Sequence, residues 1–123
     1  MIKMIYCLCR LPRLSREEFQ RYWRETHGPL VQKHADTLHI RRYIQVHTDY
    51  NLLNDNMRAS HGGPEPYDGV AELWWDSLED LSPPTPSPER QKATQMLFED
   101  EKRFIDHSRS PVWFGDERTF VRG

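Results

Sequence analysis

An α+β fold, with a four-stranded antiparallel sheet carrying both principal helices on one face, is predicted by three observations. The segments follow in the order strand, helix, strand, strand, helix, strand. The two middle strands are two-faced, carrying side chains of different character at alternate positions. The 123 residues fit one domain, residues 1–123, and hardly two.

Ile2 to Arg10 reads as a strand, with bulky residues and neither glycine nor proline, and Pro12 closes it. Ser15 followed three residues later by Glu18 is a capping box. Phe19, Tyr22, Trp23, Thr26 and Leu30 then recur at helical spacing, while Arg16, Glu17, Arg21 and Arg24 lie toward solvent. Gly28-Pro29 interrupts this helix. Proline lacks an amide hydrogen and clashes with the carbonyl four residues back, on Glu25, so the chain must kink or restart with Pro29 in a first turn. Val31, His34 and Leu38 continue the apolar-leaning side beyond it.

His39 to Thr48 forms the second strand, with Tyr43, Gln45 and His47 on one face and Arg42, Ile44 and Val46 on the other. Asp49 to Pro66, with its Asn, Asp, Gly and Pro residues, is expected to be a long connecting loop of the kind that serves as a lid or binding loop. Tyr67 to Trp75 is the third strand. Asp68, Val70, Glu72 and Trp74 share one side; Gly69, Ala71, Leu73 and Trp75 share the other, which suits helix packing. Ser82 to Pro88 is a stiff, exposed loop of polyproline character.

Ser87 caps the second helix and Pro88 occupies its first position. Ala93, Met96, Leu97, Asp100, Phe104 and His107 mark its inner stripe, in which Asp100 is the odd member. Pro111 ends that segment, and Arg118 to Val121 supplies a final edge strand. This order is the split βαβ, or ferredoxin-like, arrangement. It leaves one sheet face uncovered, here expected to carry Trp74, Tyr43 and Tyr6 or Cys7. Such exposure is unfavourable, and a second copy packed face to face would relieve it, enclosing a cavity between or within the sheets.

Composition excludes several classes of function. Seventeen basic against 19 acidic side chains leave a net charge of −2, which gives no electrostatic case for a nucleic acid or an anionic membrane as partner. No apolar run approaches the ~18 residues of a membrane span, and Met1 to Arg10 lacks a signal-peptide pattern, so a soluble, cytoplasmic protein is expected. Aromatic residues make up 11% and bury large areas each, which compensates for a low apolar fraction of 37%. Cys7 and Cys9 are too close in one strand for a good disulfide and lack a second pair for zinc. No glycine-rich phosphate loop, dinucleotide fingerprint or Gly-x-Ser-x-Gly elbow occurs, and no histidine pair sits at i, i+4 beside an acid. Neither cofactor nor metal is expected.

Three runs carry a resemblance. Phe19-x-x-Tyr22-Trp23-x-x-x-His27-Gly28-Pro29-Leu30, Tyr67-Asp68-Gly69-Val70-Ala71-Glu72-Leu73-Trp74 and Asp100-Glu101-x-x-Phe104-Ile105-Asp106 occur in this order. Together they resemble the signature of the EthD family. The resemblance implies a homodimeric α+β barrel, an architecture shared with small polyketide cyclases, methylmuconolactone isomerases and antibiotic-biosynthesis monooxygenases. The family takes its name from an ether-degradation gene cluster, and fungal relatives are described as dehydratases of pigment pathways. The proline-rich segment and the extended Asn51 to Glu65 stretch depart from the usual pattern.

His27 is the first candidate for a catalytic role, since histidine exchanges protons near neutral pH and this one sits at a helix break beside Trp23. Its other reading is a ring that caps carbonyls freed by Gly28-Pro29. Glu72, beside Trp74, is the second catalytic candidate, as a carboxylate with a raised pKa; its other reading is a carboxylate paired with an arginine across the dimer interface. Tyr22, Trp23, Tyr43, Gln45, His47, Asp68 and Trp74 are the expected substrate-binding residues; Asp68 also reads as a strand-entry residue. His61 falls in the long loop, and Asp100, Asp106 and His107 are expected to pair locally with Arg103 and its neighbours. The function expected is a cofactor-independent cyclase, dehydratase or isomerase acting on a small hydrophobic, aromatic or polyketide-like molecule. A non-catalytic binding or accessory protein of a degradation pathway, a cofactor-free monooxygenase and a purely structural dimer are the alternatives.

Overall fold

The computed structural model describes all residues from Met1 to Gly123. Four strands, β1 (Ile2–Leu8), β2 (Arg42–His47), β3 (Gly69–Trp75) and β4 (Val112–Gly115), form one antiparallel sheet in the order β2-β3-β1-β4. β1 and β3 are central, and register places Tyr6 opposite Ala71 and Ile5 opposite Glu72. The helical side of the sheet is built from Met4, Tyr6 and Leu8 of β1, Tyr43 of β2 and Ala71, Leu73 and Trp75 of β3, all in or against the core cluster. The expected two-faced reading of β3 is therefore realised, and the ferredoxin-like α+β class with it.

The first helical region is continuous. α1 (Arg16–Tyr22) begins at the capping box, with Ser15 and Glu18 bonding reciprocally to one another's backbone. α2 (Gly28–His34) follows without a gap, because Trp23–His27 winds as a π turn between them. The widened turn answers the proline problem: the Gly28 amide reaches back five residues to the Trp23 carbonyl, and Pro29 falls in the first turn of α2, where no amide hydrogen is required. Phe19 and Trp23 of this region meet Phe104 and Ile105 in the core.

Three sequence expectations are corrected. Asp49 to Pro66 is not an irregular loop: it contains α3 (Asn51–His61), an eleven-residue helix with no buried residue, entered at a left-handed Tyr50 (φ 56°) and ended by a left-handed Gly62 (φ 65°). Asn51, Asn54, Asp55 and Asn56 are weak helix formers and masked its periodicity. The edge strand is Val112–Gly115, not Arg118 to Val121; it pairs with β1 and starts directly after Pro111, which follows a short 3-10 turn at His107–Arg109. The last long helix, α5 (Pro88–Glu101), stops at Glu101 rather than running to His107, because Ile105 bridges Arg10 and draws the chain into extended conformation. Phe104 is nevertheless fully buried, beyond the helix. A short α4 (Leu78–Leu81) follows β3.

The face expected to be open also differs in membership. Tyr43 and Tyr6 point to the helices, not away from them. The uncovered face carries Ile5, Val46 and Glu72, with Trp74 lying between the cations of Lys3 and Arg42 at 4.4 and 4.8 Å from its ring centroid. Cation and tail contacts cover that indole so well that it is only 5% exposed.

Candidate functional site

Between the sheet and the helices of one protomer lies a cavity of about 560 Å³, lined mainly by Met4, Leu8, Val31, Leu73, Trp75 and Leu97. It is not a hollow between two sheets, as a face-to-face pair would enclose, but the unfilled part of the chain's own core. Its volume matches that of a small-molecule site, and its mostly apolar wall suits a hydrophobic ligand.

His27 lines this cavity. The π turn places it at the wall, with its ring 5.0 Å from that of Phe104. Its Nδ1 lies 2.8 Å from Asp100 Oδ2, and both side chains are more than nine-tenths buried. Tyr22 donates its hydroxyl to the other oxygen, Asp100 Oδ1, at 2.6 Å. Burial and this carboxylate together raise the Tyr22 pKa, so the phenol remains a donor. A carboxylate bonded in this way accepts a hydrogen bond from Nδ1–H, which leaves His27 Nε2 as the ring nitrogen available to a ligand. That tautomer follows from the hydrogen-bond network.

Asp100 is thus the partner that sequence reasoning did not give to His27. Arg103 is only a distant neighbour, at 3.9 Å. The available signal was a lone carboxylate in an apolar helix stripe.

Tyr43 also lines the cavity, and burial raises its pKa. Gln45 organises the region behind it. Its amide nitrogen donates to the Trp23 carbonyl at 2.9 Å and to the Tyr43 hydroxyl at 2.7 Å, and its oxygen meets His47 Nε2 at 2.8 Å. The imidazole of His47 stacks on Trp23 at 4.4 Å, and its Nδ1 is buried without a partner. Gln45 and His47 therefore stand behind Trp23 and Tyr43 and do not line the cavity. Trp23 itself does.

The remaining expected site residues lie elsewhere. Glu72 is on the opposite face of the sheet, ion-paired with Lys3, so strand alternation keeps it from sharing a ligand with His27. Trp74 shares that face. Asp68 is buried and fully engaged: Arg10 donates its amide to Oδ2 at 2.8 Å, and Arg10 and Arg16 contact Oδ1 at 2.5 and 3.0 Å. It fastens the end of β1 and the start of α1 to the entry of β3. Polar residues that line the cavity without having been expected as site residues include Arg90, Thr94, Glu101, His107 and Ser110. Arg90 donates to the carbonyls of Asp80 and Leu81 at 2.6 and 2.7 Å. No group of three or more His, Cys, Asp or Glu side chains is arranged to hold a metal ion.

A family model described as EthD domain matches residues 11–108. Among solved structures, an ethyl tert-butyl ether D (EthD) family protein from Bacillus halodurans is similar with a TM-score of 0.61 at 19% identity, covering 96% of this chain and 99% of its own. A dimeric protein of unknown function and ferredoxin-like fold from Bacteroides fragilis gives 0.57 at 11% identity, with 94% and 95% covered. HapK from Hahella chejuensis gives 0.56 at 10% identity, with both chains covered completely, at 100%. No curated protein matches the chain.

Proposed function

The chain belongs to the EthD domain family, and from its cavity we propose that it is a cofactor-independent acid/base enzyme, a cyclase, dehydratase or isomerase, acting on a small hydrophobic, aromatic or polyketide-like molecule. The observation that carries this reading is the His27–Asp100 pair, 2.8 Å apart and buried at the wall of a mostly apolar cavity. In this mechanism His27 Nε2 accepts a proton from an acidic C–H or O–H of the substrate. The imidazolium that forms is held by Asp100 through Nδ1–H, and the same proton then passes to another substrate atom. Tyr22, by donating to Asp100, holds the carboxylate in place against the ring. Tyr43 and Trp23 border the bound molecule.

The same reading includes a homodimer formed through the uncovered sheet face. The B. fragilis protein is described as dimeric, and that face of this chain presents Val46 and Trp113, each 49% exposed.

The test is turnover of a panel of phenolic and polyketide-like substrates by wild type and His27→Ala, followed by mass spectrometry. Loss of product with retained folding supports the reading; undiminished product formation by His27→Ala overturns it.

A further inference from the structure

The consecutive carboxylates Asp100 and Glu101 are dressed alike. Each contacts one tyrosine hydroxyl and one histidine nitrogen: Asp100 takes Tyr22 and His27, and Glu101 takes Tyr6 at 2.9 Å and His107 at 3.0 Å. One helical step turns the second carboxylate about 100° from the first, from α1 toward β1. The two clusters nevertheless share a chamber, since His27, Tyr6, Glu101 and His107 all line the same cavity. They differ in depth. The side chains of His27 and Asp100 are 7% and 9% exposed, those of His107 and Glu101 32% and 20%.

Tyr6 and His107 both bond to Glu101 Oε1, so Oε2 has no donor from the protein. Tyr6 is half-buried, and burial next to Glu101 holds its pKa well above the ordinary 10.0. Its hydroxyl therefore stays protonated and keeps the carboxylate in place. Phe98 stacks in parallel on the His107 ring at 5.0 Å and fixes its plane. A carboxylate clamped on one oxygen and open on the other, inside an apolar chamber, is a strong acceptor for a ligand donor.

We propose that Glu101, positioned by Tyr6 and His107, is a hydroxyl-binding station in the outer part of the cavity, taking a phenolic or enolic O–H of the ligand on Oε2. The ligand class is then a flat apolar molecule with an O–H at one end, the other end lying toward His27. The station shares the cavity of the acid/base reading but does not depend on turnover.

The probes are 2-naphthol and 2-methoxynaphthalene, which differ in the donor hydrogen, titrated calorimetrically into wild type, Glu101→Gln, Tyr6→Phe and His27→Ala. Wild type is expected to favour the naphthol on the order of ten-fold. Glu101→Gln should reduce that preference to roughly two-fold by removing the charge, and Tyr6→Phe should reduce it part of the way. Affinity for the methoxy compound should be unchanged in both, a separation that a general loss of structure would not produce. His27→Ala should keep the full preference. Equal wild-type affinity for the two probes, no binding of either, or a preference that survives both Glu101→Gln and Tyr6→Phe would overturn the station. Full turnover by His27→Ala would instead remove the acid/base reading and leave the station standing.

Discussion

Asp100 Oδ2 lies 2.8 Å from His27 Nδ1 although 73 positions separate the two residues in the chain. The contact joins the π turn of the first helical region to the end of α5, across the roof of the cavity. Each partner is buried, and neither has another histidine or carboxylate as an alternative partner. The pair therefore sets which imidazole nitrogen is left for chemistry.

Asp100→Asn tests that relationship. An amide in place of the carboxylate no longer stabilises an imidazolium, and it presents donor hydrogens to Nδ1 as readily as an acceptor. Turnover on any substrate found for the wild type should fall roughly 10²-fold or more through kcat. Steady-state kinetics check this, and a drop confined to KM would contradict the orienting role.

Gly69→Ala should destabilise the protein without reference to any ligand. A Cβ there would stand 2.8 Å from the Val46 carbonyl oxygen and would overlap the six-membered ring of Trp23. Trp23 is 1% exposed and is held between Phe19 and the stacked ring of His47. The expected loss is about 2–3 kcal/mol, read as a shift of the urea midpoint at constant m-value.

Asp68→Asn separates a structural carboxylate from a ligand-binding one. The substitution takes away the negative charge shared by the guanidinium groups of Arg10 and Arg16 and puts an amide NH2 donor where one acceptor oxygen stood. Stability should fall by about 2 kcal/mol, while the affinities for 2-naphthol and 2-methoxynaphthalene stay within error of wild type. A selective loss of probe binding in a stable Asp68→Asn protein would return this residue to the site.

His47 gives the fold a pH dependence with a defined sign. Burial first, and then the charge of Arg24, lower its pKa from the ordinary 6.5. Below 6.5 the unfolded chain binds a proton that the folded one resists, so the unfolded state holds more protons and stability rises with pH. The contribution is complete above about 6.5 and declines as pH falls toward the lowered native value. Urea melts between pH 5 and 8 should show this slope, and His47→Gln should flatten it.

Much of the fold was legible because it rests on local rules. The capping box of Ser15 and Glu18 formed where the spacing placed it. Ser87 and Pro88 opened α5 for the same reason. In β3, small and large apolar residues at alternate positions were enough to identify the helical face. Where local rules were silent or balanced, the chain was misread. α3 is an exposed helix of poor helix formers, so neither burial nor propensity announced it. β4 was displaced by six residues because its four residues, all exposed, carry no alternation strong enough to compete with Arg118 to Val121.

The candidate site was legible in part, and the division has a physical cause. His27 stood out because it is a titratable residue next to a proline that must disturb a helix. Glu72 stood out for its aromatic neighbour, yet adjacent residues of a strand point to opposite sides of the sheet. Which side becomes the chamber depends on where the helices pack. The same holds for Tyr43, which the sequence put on the uncovered face, and for Tyr6, which it offered there as the alternative to Cys7.

The amino-acid order by itself determined the succession of strands and helices, the caps, the disturbance before Pro29 and the family signature, since each depends on residues within a few positions of one another. Only the tertiary structure decided that the proline is accommodated by a π turn, that Asp100 and Glu101 each collect a tyrosine and a histidine, and that Glu72 is shut away from both. Those outcomes depend on contacts between distant segments, and the geometry of such contacts is fixed only when the sheet and helices close on one core.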